Sequence, residues 1–344
     1  MELNVLLPLL SSTLSFVFAL FLLDQWLERR HSYQLIWTIG MAWYGISAGT
    51  EFWGAAYGWS EPLYRTWYLI GAVYVAAWLG LGTMFLLGRT RFGYGAAISF
   101  VLAGLFTFLS WRRYEYADAA GTEALYPLVA VVAAVAIAVA TYRSKGQWAP
   151  LAGVLIVGGS LLAVPVVLLA PLEAPGYVLD ASGIPVGDAM PGYARLLTPL
   201  FNVTGGFALA FGALYSTYVF MPKQRVLRYD LRRDRGVLRF LFNLLFAPVA
   251  ITVNLIASIP GTVVAQVQGR LHSRVPATIL LAIGGFVPSV TSGLSRFGVT
   301  ETFFLGELLG VVFLFAGFLV SIEVFREIRI PFTRRVLRVR HEAA

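Results

Sequence analysis

The chain has 344 residues, enough for two soluble domains, yet 58% of them are hydrophobic and only 13% are charged, with a mean hydropathy of +0.74. A soluble chain carries about a quarter of charged residues to cover its surface, so a soluble globular enzyme, a disordered protein and a disulfide scaffold are all excluded. The formal net charge of +8 does not mark a nucleic-acid binder, because the arginines cluster at the ends of apolar runs, the pattern that orients membrane helices.

The apolar runs, taken in chain order, predict an all-α polytopic membrane bundle. Val5–Leu27 follows Glu2 and Asn4 rather than a positively charged stretch and lacks a small-residue cleavage site, so it reads as a spanning helix and not as a signal peptide. Tyr33–Gly58, Leu63–Leu87, Tyr94–Trp111, Leu125–Tyr142, Trp148–Leu172 and Leu196–Phe220 follow, giving a seven-helix region over residues 1–220 rich in Trp and Tyr. The connections alternate in charge. Arg29 and Arg30, Arg89 and Arg91, Arg143 and Lys145, and the basic segment 221–239 fall on one side; Glu173, Asp180 and Asp188 fall on the other. The excess of Lys and Arg places the N-terminus outside and the basic segment in the cytoplasm.

Three apolar runs remain in residues 240–325: Phe240–Val264, Ala277–Leu294 and Phe303–Phe325. The tail 326–344, with Arg326, Arg329, Arg334, Arg335, Arg338 and Arg340, is basic and therefore also cytoplasmic. Leaving one side and returning to it takes an even number of crossings, so one of the three runs does not cross. Phe240–Val264, interrupted by Asn243, Pro248, Asn254 and Pro260–Gly261, is the preferred candidate for a re-entrant or interfacial element, with Ala277–Leu294 as the alternative. The expected architecture is about nine transmembrane helices plus this one element, multi-pass in a cell membrane of bacterial cytoplasmic type.

Scarce residue types narrow the chemistry. There is no cysteine, which disfavours thiol catalysis and iron–sulfur centres. His31, His272 and His341 all lie in polar stretches, which disfavours haem inside the bilayer, and Lys145 and Lys223 both lie in loops, which disfavours a retinal Schiff base. No cofactor, metal site or catalytic residue is expected. An enzyme acting on lipid-linked substrates has the weakest support, since no histidine or aspartate stands where a catalytic cluster belongs.

Three groups of residues remain as candidate sites. Glu51 lies about 10 Å inside the outer end of the second helix at 1.5 Å per residue, and Glu307 lies near the outer start of the last one, so two carboxylates at similar depth can form a proton or cation site. Arg65 is a possible counter-charge for them. The segment 284–296, with Gly284, Gly285, Pro288, Ser289, Thr291, Ser292 and Arg296, reads as a broken helix able to expose backbone N–H groups to an anion, or as a small-residue packing face. Trp37, Trp43, Tyr44, Tyr74 and Trp78 read as an aromatic-walled pocket for a flat or lipidic molecule, or as interfacial and packing aromatics.

The patterns Gly45–Gly49, Gly54–Gly58 and Gly306–Gly310 allow close helix packing, within the chain or against a second copy or a membrane partner. The two basic segments suit anionic lipid head groups at about 1 kcal/mol per residue. The favoured reading is transport of a small solute or ion through Glu51, Glu307 and segment 284–296. The alternative is a non-catalytic binding or scaffold subunit of a membrane complex that contacts lipid, pigment or partner helices.

Overall fold

The computed structural model describes residues 3–119, 121–143, 146–230, 236–295, 302–321, 327–333 and 336–339. They form ten long helices: α1 (Leu3–Arg29), α2 (Ser32–Tyr57), α3 (Glu61–Leu86), α4 (Gly93–Tyr114), α5 (Thr122–Arg143), α6 (Trp148–Leu168), α7 (Gly192–Phe220), α8 (Val237–Val267), α9 (Arg274–Ser295) and α10 (Phe303–Val320). A short hairpin of β1 (Glu327–Arg329) and β2 (Val336–Val339) closes the described chain. Among the described residues nine helices are long and apolar enough to cross a membrane, so the protein is an integral, multi-pass membrane protein. The helix outside that nine is α2, whose apolar residues are diluted by Gln34, Thr38, Ser47, Thr50 and Glu51.

The bundle is organised around close backbone approaches. α1 and α2 form an antiparallel hairpin, in which the Ser12 hydroxyl donates to the carbonyl of Gly45 at 2.8 Å. α3 and α7 meet where Gly80 faces Gly205; a Cβ on either glycine would run into the backbone of the other helix. α9 packs between α7 and α10, and α10 in turn packs on α1. Midway along α3 the ladder widens into a π segment, Tyr68–Val75, a departure that tends to sit beside functional positions.

At the end opposite the arginine-rich connections, the long segment between α6 and α7 folds down on the bundle. Asp180 Oδ1 accepts from the N–H groups of Ser182 and Ile184, both at 2.8 Å, and the Tyr64 hydroxyl donates to the Val186 carbonyl at 2.6 Å. Asn4 Nδ2 donates to the Ser182 carbonyl at 2.9 Å, which ties the start of α1 to the same loop.

Two expectations about the C-terminal region need correction. Phe240–Val264 is not a re-entrant hairpin: α8 is one uninterrupted helix through Pro248 and Pro260. A proline removes one backbone hydrogen bond, but the remaining ladder holds, and the hydroxyls of Thr252, Ser258 and Thr262 each donate back to the carbonyl four residues earlier. Residues 284–293 are not broken either, because α9 continues through Pro288 to Ser295. Its glycines face neighbouring helices: a Cβ on Gly284 would meet Leu314 and one on Gly285 would meet Leu209.

α8 is set apart from the other helices. The Phe240 ring packs on Tyr94 and Tyr142, centroids 5.8 and 5.2 Å apart, at the arginine-rich ends of α4 and α5. Asn254 reaches the Tyr218 hydroxyl, and Ile251 and Leu255 pack beside Tyr218, Met221 and Val275 at the same ends of α7 and α9. Phe240 and Asn254 are 14 residues apart, about 21 Å of helix, so α8 runs along that end of the bundle rather than through it.

An extended strap lies antiparallel to α8. The N–H groups of Val226 and Leu227 donate to Asn254 Oδ1 and that of Gln224 to Ser258 Oγ, all at 2.8 Å, and the Asp230 N–H donates to Asn243 Oδ1 at 3.2 Å. Most of the strap's side chains, Pro222 to Val226 and Arg228 among them, are exposed, while Tyr229 turns partly inward, where burial, with Tyr218 and Tyr215 alongside, pushes its hydroxyl up to about 12.

Candidate functional site

The site forms where α2, α3 and α10 converge. Glu51 projects from the α2 face that also carries Tyr44 and Trp37, one side chain every seven residues, and is 1% exposed. Glu307 lies in the first turns of α10; the residue is part-buried, and its Oε2 is closed off from solvent. The two carboxyl groups lie beside each other, each within the other's electrostatic reach.

Three further features hold the pair. Trp67, just before the π segment of α3, donates its indole N–H to Glu51 Oε1 at 2.7 Å. The Tyr44 hydroxyl donates to the backbone carbonyl of Glu307 at 2.8 Å and so fixes α10 against α2. Gly310, one turn along α10, leaves room for that hydroxyl and for the Pro288 ring of α9. Oε2 of each glutamate has no hydrogen-bond partner.

Two carboxylates side by side away from water repel each other, so such a pair favours carrying a proton while it stays together. Separating the two, or admitting a cation between them, releases it. Among the described residues no group of three or more His, Cys, Asp or Glu side chains gathers as a metal cluster would.

The other expected site residues lie elsewhere. Arg65 does not serve the carboxyl pair: it bridges to Glu61 at 2.6 Å and donates to the carbonyls of Val167 and Ala170, both at 2.8 Å, at the end of α6. Thr291 packs against Gly306 of α10, where a Cβ would collide with its side chain, and its hydroxyl turns back to the carbonyls of Val287 and Pro288. Ser289 faces Gly206 of α7 and donates to the Gly285 carbonyl at 2.7 Å, while Ser292 lies part-buried on the next turn. The 284–293 segment thus sets the distance between α9 and α10 beside the carboxyls. Arg296 lies outside the described residues.

The five aromatics expected to wall a pocket divide into separate groups. Trp37 is 2% exposed, donates to the Leu79 carbonyl at 3.1 Å and packs edge-on against Phe318. Trp43 and Tyr74 pair at 5.3 Å, and the Tyr74 hydroxyl donates to the Ser160 carbonyl of α6 at 3.0 Å. Trp78 packs at the edge of that same core, and Tyr44 belongs to the carboxyl site. Sequence reasoning missed Trp67 as the partner of Glu51. Its one available signal was the stripe it shares with Gly71 and Tyr74, since a π segment has no sequence signature of its own.

Set against protein-family models, curated proteins and solved structures, the chain matches none of them.

Proposed function

We propose that the protein is a membrane transporter of a proton or of a small cation exchanged for one, with Glu51 and Glu307 as the coupling site. The observation that supports this is the pair of neighbouring carboxyls in the bundle interior, drawn from helices far apart in sequence and each left with a partnerless oxygen. Buried carboxyls in membrane helices are costly and mark ion or proton pathways. In this reading the N-terminus is outside, the arginine-rich end faces the cytoplasm of a bacterial-type cell, and α8 is the run that does not cross, lying against anionic head groups with Arg225, Arg228 and Arg239 of its surroundings.

The test is flux in proteoliposomes with infrared spectroscopy on the same samples. The wild type shows the carbonyl stretch of a protonated carboxyl, and Glu51→Gln or Glu307→Gln removes it and abolishes pH-driven flux while the protein stays monodisperse. Wild-type flux in both variants overturns the reading. The second reading, a scaffold or binding subunit, draws on the outward face of α8, where Leu238, Phe242, Leu245, Val249, Ile256, Ile259 and Val263 are all exposed. It predicts a co-purifying membrane protein and no flux.

A further inference from the structure

Hydroxyls in this protein are almost routinely satisfied by their own helix. Thr13, Thr38, Thr66, Thr141 and Thr217 each donate to the carbonyl four residues earlier. Ser11 and Ser15 of α1 do not: both are 0% exposed, and neither Oγ has a partner. They begin a single face of α1, with steps of four, three, four and three residues, that continues through Phe18, Leu22 and Gln25. Gln25 is 2% exposed with a partnerless Oε1. Across from it on α2, Gln34 is 0% exposed, and neither its Oε1 nor its Nε2 has a partner.

The register of the helices joins these positions into a line. Ser12 lies beside Gly45 and Gly49, and Phe16 beside Gly45, so residue numbers across the α1–α2 hairpin sum to between 57 and 61. Gln25 therefore stands opposite residues 32 to 36, where Gln34 is. α1 runs parallel to α10, with the Phe18 ring stacked on Phe315 at 4.8 Å; seven residues earlier on both helices, Ser11 comes level with Leu308, next to Glu307. The serines thus lie at the depth of the carboxyl pair, and the glutamines lie near the arginine-rich end. Between them is an aromatic layer. Phe18 packs on Phe315 and Phe318, and Trp37 meets Phe318 edge-on at 4.6 Å while its N–H is tied to the Leu79 carbonyl.

Buried polar groups are as a rule hydrogen-bonded, and a buried amide with every bond unmade marks a place for water or a ligand. We propose that Gln25 and Gln34 form a second, inner polar site for water and the proton or small cation it carries, and that Phe18, Trp37, Phe315 and Phe318 are the closed gate between it and the serine–carboxyl site. This rests on the transport reading for its purpose. Its geometry does not depend on Glu51 or Glu307, and its test needs no flux.

The native chain has no cysteine, so a single introduced thiol reports alone. Gln34→Cys and Ser15→Cys are placed in sealed vesicles, and Ag+, a small thiol-reactive cation, is added on one side at a time. Gln34→Cys is expected to react only with Ag+ on the side of Arg29 and Arg30, and Ser15→Cys only with Ag+ on the opposite side. Adding Phe18→Ala and Phe315→Ala should make each thiol react from both sides, at least tenfold faster from the formerly closed one. Should Gln34→Cys fail to assemble, Gln25→Cys on the facing helix carries the same expectation. Thiols inert to Ag+ from both sides, or both reactive from one side only, overturn the proposal. A split reactivity found together with unimpaired flux in Glu51→Gln and Glu307→Gln would uphold the two half-sites and overturn the coupling role of the carboxyls.

Discussion

Two regions of the bundle differ in where they place their charged side chains. In the half built by α3 to α7, the named charges stay at helix ends and are matched there: Arg65 with Glu61 and the last carbonyls of α6, Arg195 with Asp188 at 2.7 Å, and Asp118 with the N–H of Gly192 at 2.8 Å. The tyrosines of that half end on carbonyls, as Tyr64 and Tyr74 do. On the side built by α1, α2 and α10, carboxyls, amides and serines lie in the interior with bonds unmade. Membrane helices gain no hydrophobic attraction from one another, so they associate through packing and matched polar groups. The first region follows that rule for the charges named, although Trp78, Asn202 and Thr204 there also keep a buried atom without a partner. The second departs from it, and a departure maintained across several helices locates function rather than stability.

The comparison can be broken or sharpened by substitution. The largest effect is expected in the matched half, at the α3–α7 contact. Gly205→Val drives a side chain into the backbone of Ala76 and Ala77 and should cost on the order of 3 kcal/mol, seen as a lowered unfolding temperature in detergent or as loss of the monodisperse peak. Next, on the unmatched side, joint Glu51→Met and Glu307→Met should raise stability by about 2 kcal/mol, because apolar residues of similar volume replace imperfectly satisfied buried groups, with flux lost in the same protein. A fall in stability of that size would place the carboxyls among the structural contacts and remove the contrast. Smallest is the Thr217–Thr278 hydroxyl pair, 2.8 Å apart between α7 and α9. Thr217→Val should cost about 0.6 kcal/mol, the usual worth of such a bond between membrane helices, as read from denaturant titration.

Much of this arrangement is legible in the sequence, and the illegible part has physical reasons. Apolar runs and arginine placement locate the helices, because length and charge are local properties. Glu51 and Glu307 stand out because a carboxyl within an apolar run is conspicuous. Proline and glycine mislead, since their effect depends on what the helix packs against: in α9 Gly284 and Gly285 fit Leu314 and Leu209, whereas in α8 no neighbour lies near Gly261. Gln34, near the start of α2, is not conspicuous in the sequence, and only its complete burial reveals an unpaired amide. Arg65 shows the same limit, for the two carbonyls it reaches belong to residues more than a hundred positions away.

The polar content of α2 also bears on how the chain enters a bilayer. α2 is the long helix that falls short of the nine in apolarity, and a carboxylate inside a lone helix is penalised during insertion, by up to about 3 kcal/mol at the helix centre. Only Arg30 and His31 separate it from α1. The two helices are therefore best inserted together as a hairpin, with the strongly apolar α1 carrying its polar neighbour across and shielding it until α10, made later, delivers the second carboxyl.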